Sequence, residues 1–359
     1  MSPYFTDYFY NAGSRYAPAE TNKQVLSQAR ETVASILRVR PAEIIFTSGG
    51  SESDNLALKG VAYAQKQRGR DHIITSPTEH HAVLHTTKYL EEQGFKVTYL
   101  PVDKEGRIAP QTLKEAITPQ TGLISLMYAN NEVGTVYPIA EFAKIAREAK
   151  IPFHTDAVQA GGALPLDVEM LNVDLLSLSA HKFYGPKGVG ALFLRRGTPF
   201  EPQIHGGEQE RNRRAGTENM PGIVGLAAAL ELAYRNLAET NRQLIALRDR
   251  LIEGVLTNIP NARLTGAPPP DRLPNHASFC FAGVNGETIL LSLEERGVLC
   301  SSGSACAAGS SDPSHVLTAM GYPEELAYTA VRLTLGKTTT VEQIDYTIKA
   351  LKTVIESLS

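Results

Sequence analysis

The sequence predicts an α/β protein, with a large domain built on a mostly parallel seven-stranded sheet and a smaller α+β domain after it. Three observations carry this. Short apolar runs alternate with helical patterns through the first half of the chain, and strands separated by helices need crossover connections that make them parallel and cover both sheet faces. At 359 residues the chain exceeds one ordinary core and suits two lobes. After Gly197 the texture changes to a Gly/Arg-rich stretch, HGGEQERNRRAGTEN, and then to long helical patterns.

In chain order, Val25, Ala29, Val33, Ile36 and Leu37 recur at helical spacing behind Thr21 and Gln24, which resemble a capping box. Candidate strands follow at Ile44 to Thr47, His72 to Ser76, Lys96 to Leu100, Leu123 to Met127, Pro152 to Asp156, Val173 to Ser179 and Val189 to Leu194. Helical patterns run from about Met220 to Asn258, strand-like segments cover Ala277 to Phe281 and Thr329 to Leu335, and an amphipathic helix begins at Val341. The expected partition is 12–240 for the large domain and 241–359 for the small one, joined by 1–11.

Composition narrows the function. Hydrophobic residues at 42% and charged residues at 20% fit a globular fold. The 35 basic and 38 acidic residues are interspersed, which argues against a nucleic-acid or membrane partner and for a small ligand. The start, MSPYFTDYFY, lacks a basic flank with an apolar core, and no apolar run is long enough to span a bilayer, so a cytoplasmic location is expected. Cys280, Cys300 and Cys306 form no CxxC pair, so neither a disulfide framework nor a metal site is expected. Cys280, in SFCF, reads as buried, and Cys300 leans the same way.

Parallel sheets bind ligands beyond the carboxyl ends of their strands, so motifs at those ends matter most. Gly49, Gly50 and Ser51 open a helix after a strand, where unpaired N–H groups and the helix dipole suit a phosphate; a plain loop capped by Ser51 and Asp54 is the alternative. Asp156 ends a strand, with Gln159 three residues on. It could hold a heteroaromatic nitrogen protonated, or simply cap a helix. Lys182 follows Ser177, Ser179 and His181, which share one face if the alternation persists; a desolvated lysine there attacks carbonyls, whereas a surface lysine does not. His80 and His81 also fall at this edge. Cys306 sits in a run of small residues, Ser301 to Pro313, that fits a long loop and an accessible thiol. Arg332, in VRLTLG, needs either an internal acid or a substrate carboxylate.

Taken in order, SGGSESDN, TEHHAV, YANNEVGT, HTDAVQ, SAHKFYGPKG, HGGEQE, RRAGTEN, SSGSAC and VRLTLG resemble the cysteine desulfurases of the class V aminotransferase superfamily, pyridoxal phosphate enzymes of fold type I. The resemblance covers essentially the whole chain. It implies that Lys182 bonds the cofactor, that Asp156 partners the pyridine nitrogen and that Gln159 donates to the phenolic oxygen. It implies a phosphate site of Gly50, Ser51, Ser179 and His181, joined by Thr217 from the other subunit of a homodimer. His80 would stack on the ring and shuttle protons, Asn131 and Arg332 would hold the substrate carboxylate, and Cys306 would attack the substrate sulfur. The long loop around Cys306 resembles the class that passes persulfide sulfur to a scaffold protein for iron-sulfur cluster assembly.

One region departs from the family pattern. Its usual opening strand and Ala-Thr-Thr segment, roughly two dozen residues, do not precede Met1, and its Asn-Pro-Ser-Ser-x-His motif is replaced by Asn11-Ala12-Gly13-Ser14-Arg15-Tyr16. On that ground a cofactor-binding member without catalysis is one alternative. A selenocysteine lyase or cyst(e)ine β-lyase of the same fold is another, and a cofactor-free hydrolase using Cys306 with a histidine is a third.

Overall fold

The computed structural model describes residues 1–302 and 313–358. It divides into two compact units.

The first unit comprises 1–100, 110–128 and 138–236. Its sheet holds β1 (Ile44–Thr47), β2 (His72–Thr75), β3 (Lys96–Tyr99), β4 (Thr121–Ser125), β5 (Phe153–Asp156), β6 (Leu175–Ser179) and β7 (Gly190–Leu194) in the order β1-β7-β6-β5-β4-β2-β3. All pairings are parallel except the two made by β7, which runs against both β1 and β6. Every residue of β1, β2 and β4 to β7 is buried, the pattern of strands covered on both faces, whereas the edge strand β3 is not. Leu56, Leu58 and Val61 of the helix Gly50–Lys66 pack on Ile45, Ile73, Leu123, Leu175 and Leu192 of the sheet, forming one core layer.

The second unit comprises 101–109, 129–137 and 237–358 of the described chain. Its antiparallel sheet, ordered β10-β9-β8, consists of β8 (Ala262–Leu264), β9 (His276–Phe281) and β10 (Ala330–Thr334). The core sets Phe279, Phe281, Val331 and Leu333 against Leu251 and Val255 of the helix Leu237–Asn258 and Leu351 and Val354 of the helix Val341–Leu358. Residues 1–11 lie in the first unit, and the segments 101–109 and 129–137 lie in the second, so the units differ from the expected partition at those places.

Local details also differ from expectation. The first long helix spans Ala17–Leu37 with Pro18 in its first turn, so Thr21 and Gln24 are interior rather than capping. The long helical stretch breaks at Asn236 into Met220–Arg235 and Leu237–Asn258. The short strand β8 had no sequence signal.

Candidate active site

Since β1, β2, β4, β5 and β6 point the same way, the segments that leave them gather at one edge of the sheet. Gly50, Ser51, His80, Asp156, Gln159, Ser179, His181 and Lys182 all lie on those segments.

β1 passes through Gly49 into the helix Gly50–Lys66. Gly49 has φ 152° and ψ −174°, a conformation open essentially to glycine alone, and the helix has no side-chain cap. The expected Ser51 and Asp54 capping box is absent. Instead Glu52 reaches back and its carboxylate accepts the Ser48 N–H at 2.8 Å. The turn packs tightly: a carbon added at Gly50 would lie 2.8 Å from Val158 Cγ2 and 3.5 Å from Ser179 Cβ, and one at Gly190 would lie 2.7 Å from Gly49 Cα. Gly50, Val158 and Ser179 are therefore neighbours, and the uncapped N–H groups stand beside Ser179.

β5 ends at Asp156, whose carboxylate accepts the Val158 N–H at 2.9 Å and is 5% exposed. Burial pushes its pKa up to about 6, against the pull of the Val158 N–H and the Lys182 charge. Below it in the same strand, His154 is fully buried: Nδ1 meets Ser125 Oγ at 2.8 Å and Nε2 meets Ser177 Oγ at 2.9 Å. Burial drops this imidazole, held between two hydroxyls, to about 3, and it stays neutral. Asp54 lies 3.7 Å from His154 Nε2, and Glu79 accepts the Met127 N–H at 2.9 Å. Both are fully buried and, with Asp156 adding like charge, both carboxyls are pushed well above the usual range. Three buried acids and a neutral histidine thus share one cluster. Asp54, Glu79 and His154 were missed from sequence, where only the proximity of each to a strand end marked them.

β6 gives way at Ser179 to a short 3-10 turn, Ala180–Phe183, which carries His181 and Lys182 to the exposed edge. The alternation that would align Ser177, Ser179 and His181 stops at the strand end. Burial and the charges of Lys182 and Lys187 lower the pKa of His181. His80 caps the helix His81–Glu92, and its Nδ1 accepts the Ala82 N–H at 3.0 Å. In the neutral ring the proton is therefore on Nε2. Gln159 is half-buried, and Thr217 is exposed in the loop that precedes the helix Met220–Arg235.

In the second unit, Arg332 of β10 donates from Nη1 to Asn131 O at 2.7 Å, and its backbone exchanges hydrogen bonds with Ser301. Cys306 lies outside the described residues. Cys280 is fully buried and its thiol is pushed up to about 11; Cys300 packs against the core, and burial with Glu294 takes it to about 11 too. Neither is a nucleophile at neutral pH.

These residues fit pyridoxal phosphate. Asp156 is a buried acid whose ionisation calls for a cation above it, as a protonated pyridine supplies; the uncapped helix start beside Ser179 suits a phosphate; and Lys182 stands on the same edge. Among the described residues no group of histidine, cysteine or acidic side chains could hold a metal ion, and no helix is long and apolar enough to cross a membrane.

The family model of class-V aminotransferases matches residues 1–347. A protein of Clostridium botulinum (strain Hall) named cysteine desulfurase IscS is 52% identical over 359 aligned residues, covering 99% of this chain and 90% of that one. Among solved structures, a NifS-like protein superposes with a TM-score of 0.93 at 40% identity, covering 100% of this chain and 94% of its own. A second, titled SspA in complex with cysteine, has a TM-score of 0.82 at 40% identity and covers 95% of this chain and 94% of its own. The chain belongs to the class-V aminotransferases, in their cysteine desulfurase branch.

Proposed function

We propose that this chain is a pyridoxal phosphate-dependent desulfurase that takes sulfur from L-cysteine, leaves L-alanine and holds the sulfur as a persulfide on Cys306. The observation that carries the cofactor reading is the buried Asp156 carboxyl on the same sheet edge as Lys182 and the uncapped Gly50 helix start.

Bound pyridoxal phosphate supplies an electron sink for the carbanion that forms at the substrate Cα. The residues do the rest. Lys182 would hold the cofactor through its amine and would supply the base for the substrate Cα proton. Asp156 would keep the pyridine nitrogen protonated, Gln159 would donate to the phenolic oxygen, and Gly50, Ser51, Ser179 and His181 would hold the phosphate with Thr217 of a second copy. His80 would lie against the ring; its Nδ1 accepts the Ala82 N–H, which leaves Nε2 as the proton-carrying nitrogen of the neutral imidazole. Asn131 and Arg332 orient the substrate carboxylate.

The Cys306 thiolate attacks the substrate sulfur. The Cβ–S bond breaks, an S–S bond forms at Cys306, and Cβ gains a proton, so one thiol and one cysteine become one persulfide and one alanine without an outside oxidant or reductant. The persulfide then passes to an acceptor such as an iron-sulfur scaffold protein, and the working form is a cytoplasmic homodimer.

The test is alanine and persulfide production from L-cysteine with added pyridoxal phosphate. Cys306→Ser is expected to abolish persulfide while the cofactor absorbance survives; undiminished sulfur transfer in that variant would rule the role out.

A further inference from the structure

The helix start proposed to take the phosphate carries an acid of its own. Glu52 follows Ser51 directly, in the first turn of Gly50–Lys66. Burial raises its pKa, but hydrogen bonds from Arg214 and Ser48 outweigh this and hold it below the usual value, so it is an anion at neutral pH. An uncompensated carboxylate there would repel a phosphate and compete with it for the same helix dipole.

Arg214 compensates it. Its Nε lies 2.7 Å from Glu52 Oε1 and its Nη2 lies 3.1 Å from Oε2, a bidentate pair in which both side chains are about one-fifth exposed or less, at 21% and 16%. The segment bearing Arg214 is itself pinned. Glu210, Arg211 and Asn212 all have positive φ, at 48°, 58° and 62°, which is costly for residues with a Cβ and persists only where surroundings enforce it. The enforcing contact is Glu210, which is buried and takes both guanidinium arms of Arg30 at 2.6 and 2.7 Å. Arg30 in turn donates to Ile44 O at 2.7 Å and lies 4.7 Å over the Phe46 ring. Ile44 and Phe46 belong to β1, the strand that opens into Gly49. One strand therefore fixes both the helix start and, through Arg30 and Glu210, the arginine that neutralises it. Glu210, the other acid near Arg214, is committed to Arg30.

We propose that Arg214 is a positioning residue for the cofactor phosphate: it acts through Glu52, cancelling that carboxylate's charge beside Gly50 and Ser51, and is not itself a phosphate ligand. This rests on the pyridoxal phosphate reading above.

The test is calorimetric binding of pyridoxal phosphate, and of pyridoxal without the phosphate, to the cofactor-free protein. Arg214→Met is expected to weaken pyridoxal phosphate binding on the order of tenfold while pyridoxal stays within about twofold. Glu52→Gln alone is expected to bind pyridoxal phosphate as tightly as wild type or tighter, and the double variant to return within about threefold of wild type. The proposal is overturned if the Arg214→Met loss persists in the Glu52→Gln background, as it would for a direct ligand. Equal weakening of both ligands, as from a general structural latch, overturns it too, as does weaker binding by Glu52→Gln. Should Arg214→Met not fold, the Glu52→Gln result decides alone. A wild type that binds neither ligand defeats the cofactor reading and this proposal with it, whereas a binding wild type with an unchanged Arg214→Met defeats only this proposal.

Discussion

The two units use charge in opposite ways. At the sheet edge of the first, Asp54, Glu79 and Asp156 are acids buried together with a neutral His154, and the charge of Lys182 pulls the Asp156 pKa down against its burial. In the second, guanidinium groups face backbone carbonyls: the buried Arg272 donates to Ala267 O at 2.8 Å and Val133 O at 2.9 Å and also reaches Thr265 O, and the half-buried Arg332 donates to Asn131 O at 2.7 Å. Carbonyl acceptors satisfy a guanidinium's donors without cancelling its charge. The first unit thus gathers buried acids in one cluster, whereas the second sets guanidinium groups on backbone carbonyls.

The harshest way to break that contrast is at Lys182. Lys182→Ala is expected to lower turnover of cysteine by about three orders of magnitude or more, because it removes both the covalent attachment and the base. Labelling of the wild type that borohydride reduction makes permanent, and that is lost in the variant, checks the attachment separately from the rate. Persistence of the reducible absorbance in Lys182→Ala would remove Lys182 from its role.

A smaller effect sharpens the second unit's half of the comparison. Arg332→Ala is expected to lower kcat/KM for cysteine by about a hundredfold, the ~2–3 kcal/mol of a lost charge-assisted bond to a carboxylate. Cofactor absorbance and binding should not move, since the partner proposed for Arg332 is the substrate carboxylate and not the cofactor. If binding of pyridoxal phosphate weakens as much as turnover, Arg332 supports the fold rather than the substrate.

How much of this was legible beforehand follows the same division. All seven strands of the first sheet were placed by short apolar runs bounded by turn residues, with starts slipping by two residues at β6, which begins at Leu175 rather than Val173, and at β4, which begins at Thr121, a polar residue buried against His72, rather than Leu123. Period and punctuation report such strands well. Lys182 and Asp156 stood out because a lysine or an acid at the end of an apolar strand is unusual. Asp54 and Glu79 did not, since an acid in a helix or after a strand looks solvated until the fold buries it. The association of 101–109 and 129–137 with the second unit was hidden for a different reason. It rests on long-range contacts such as Thr135 Oγ1 with the Ala267 N–H at 2.9 Å and Gly134, at φ 78°, packed on His276, which leave no periodic trace in the chain.

The gentlest probe separates the members of the acid cluster by their protons. Asp156 has a folded pKa of about 6 against an ordinary 3.8, so its contribution to stability is present below 3.8 and is lost as pH rises through about 6. His154 has the opposite sign: its folded value of about 3 against 6.5 gives stability that is present above 6.5 and lost as pH falls towards 3. Between pH 6 and 4 the two therefore oppose each other, each at up to about 1.4 kcal/mol per pH unit. Urea unfolding of the cofactor-free protein across that window should show His154→Gln gaining on wild type as the pH falls, because the variant no longer has to exclude a proton from the buried ring. Asp156→Asn should lose ground over the same interval, because it cannot take up the proton that the buried carboxyl welcomes. Asp54 and Glu79 feel the Asp156 charge, so Asp156→Asn also relieves part of the upward push on those two acids, and its difference from wild type reports the three carboxyls together. Parallel curves for His154→Gln and wild type would mean that the imidazole accepts a proton in the fold. The cluster would then hold its own cation, and Asp156 would have no need of one from a cofactor.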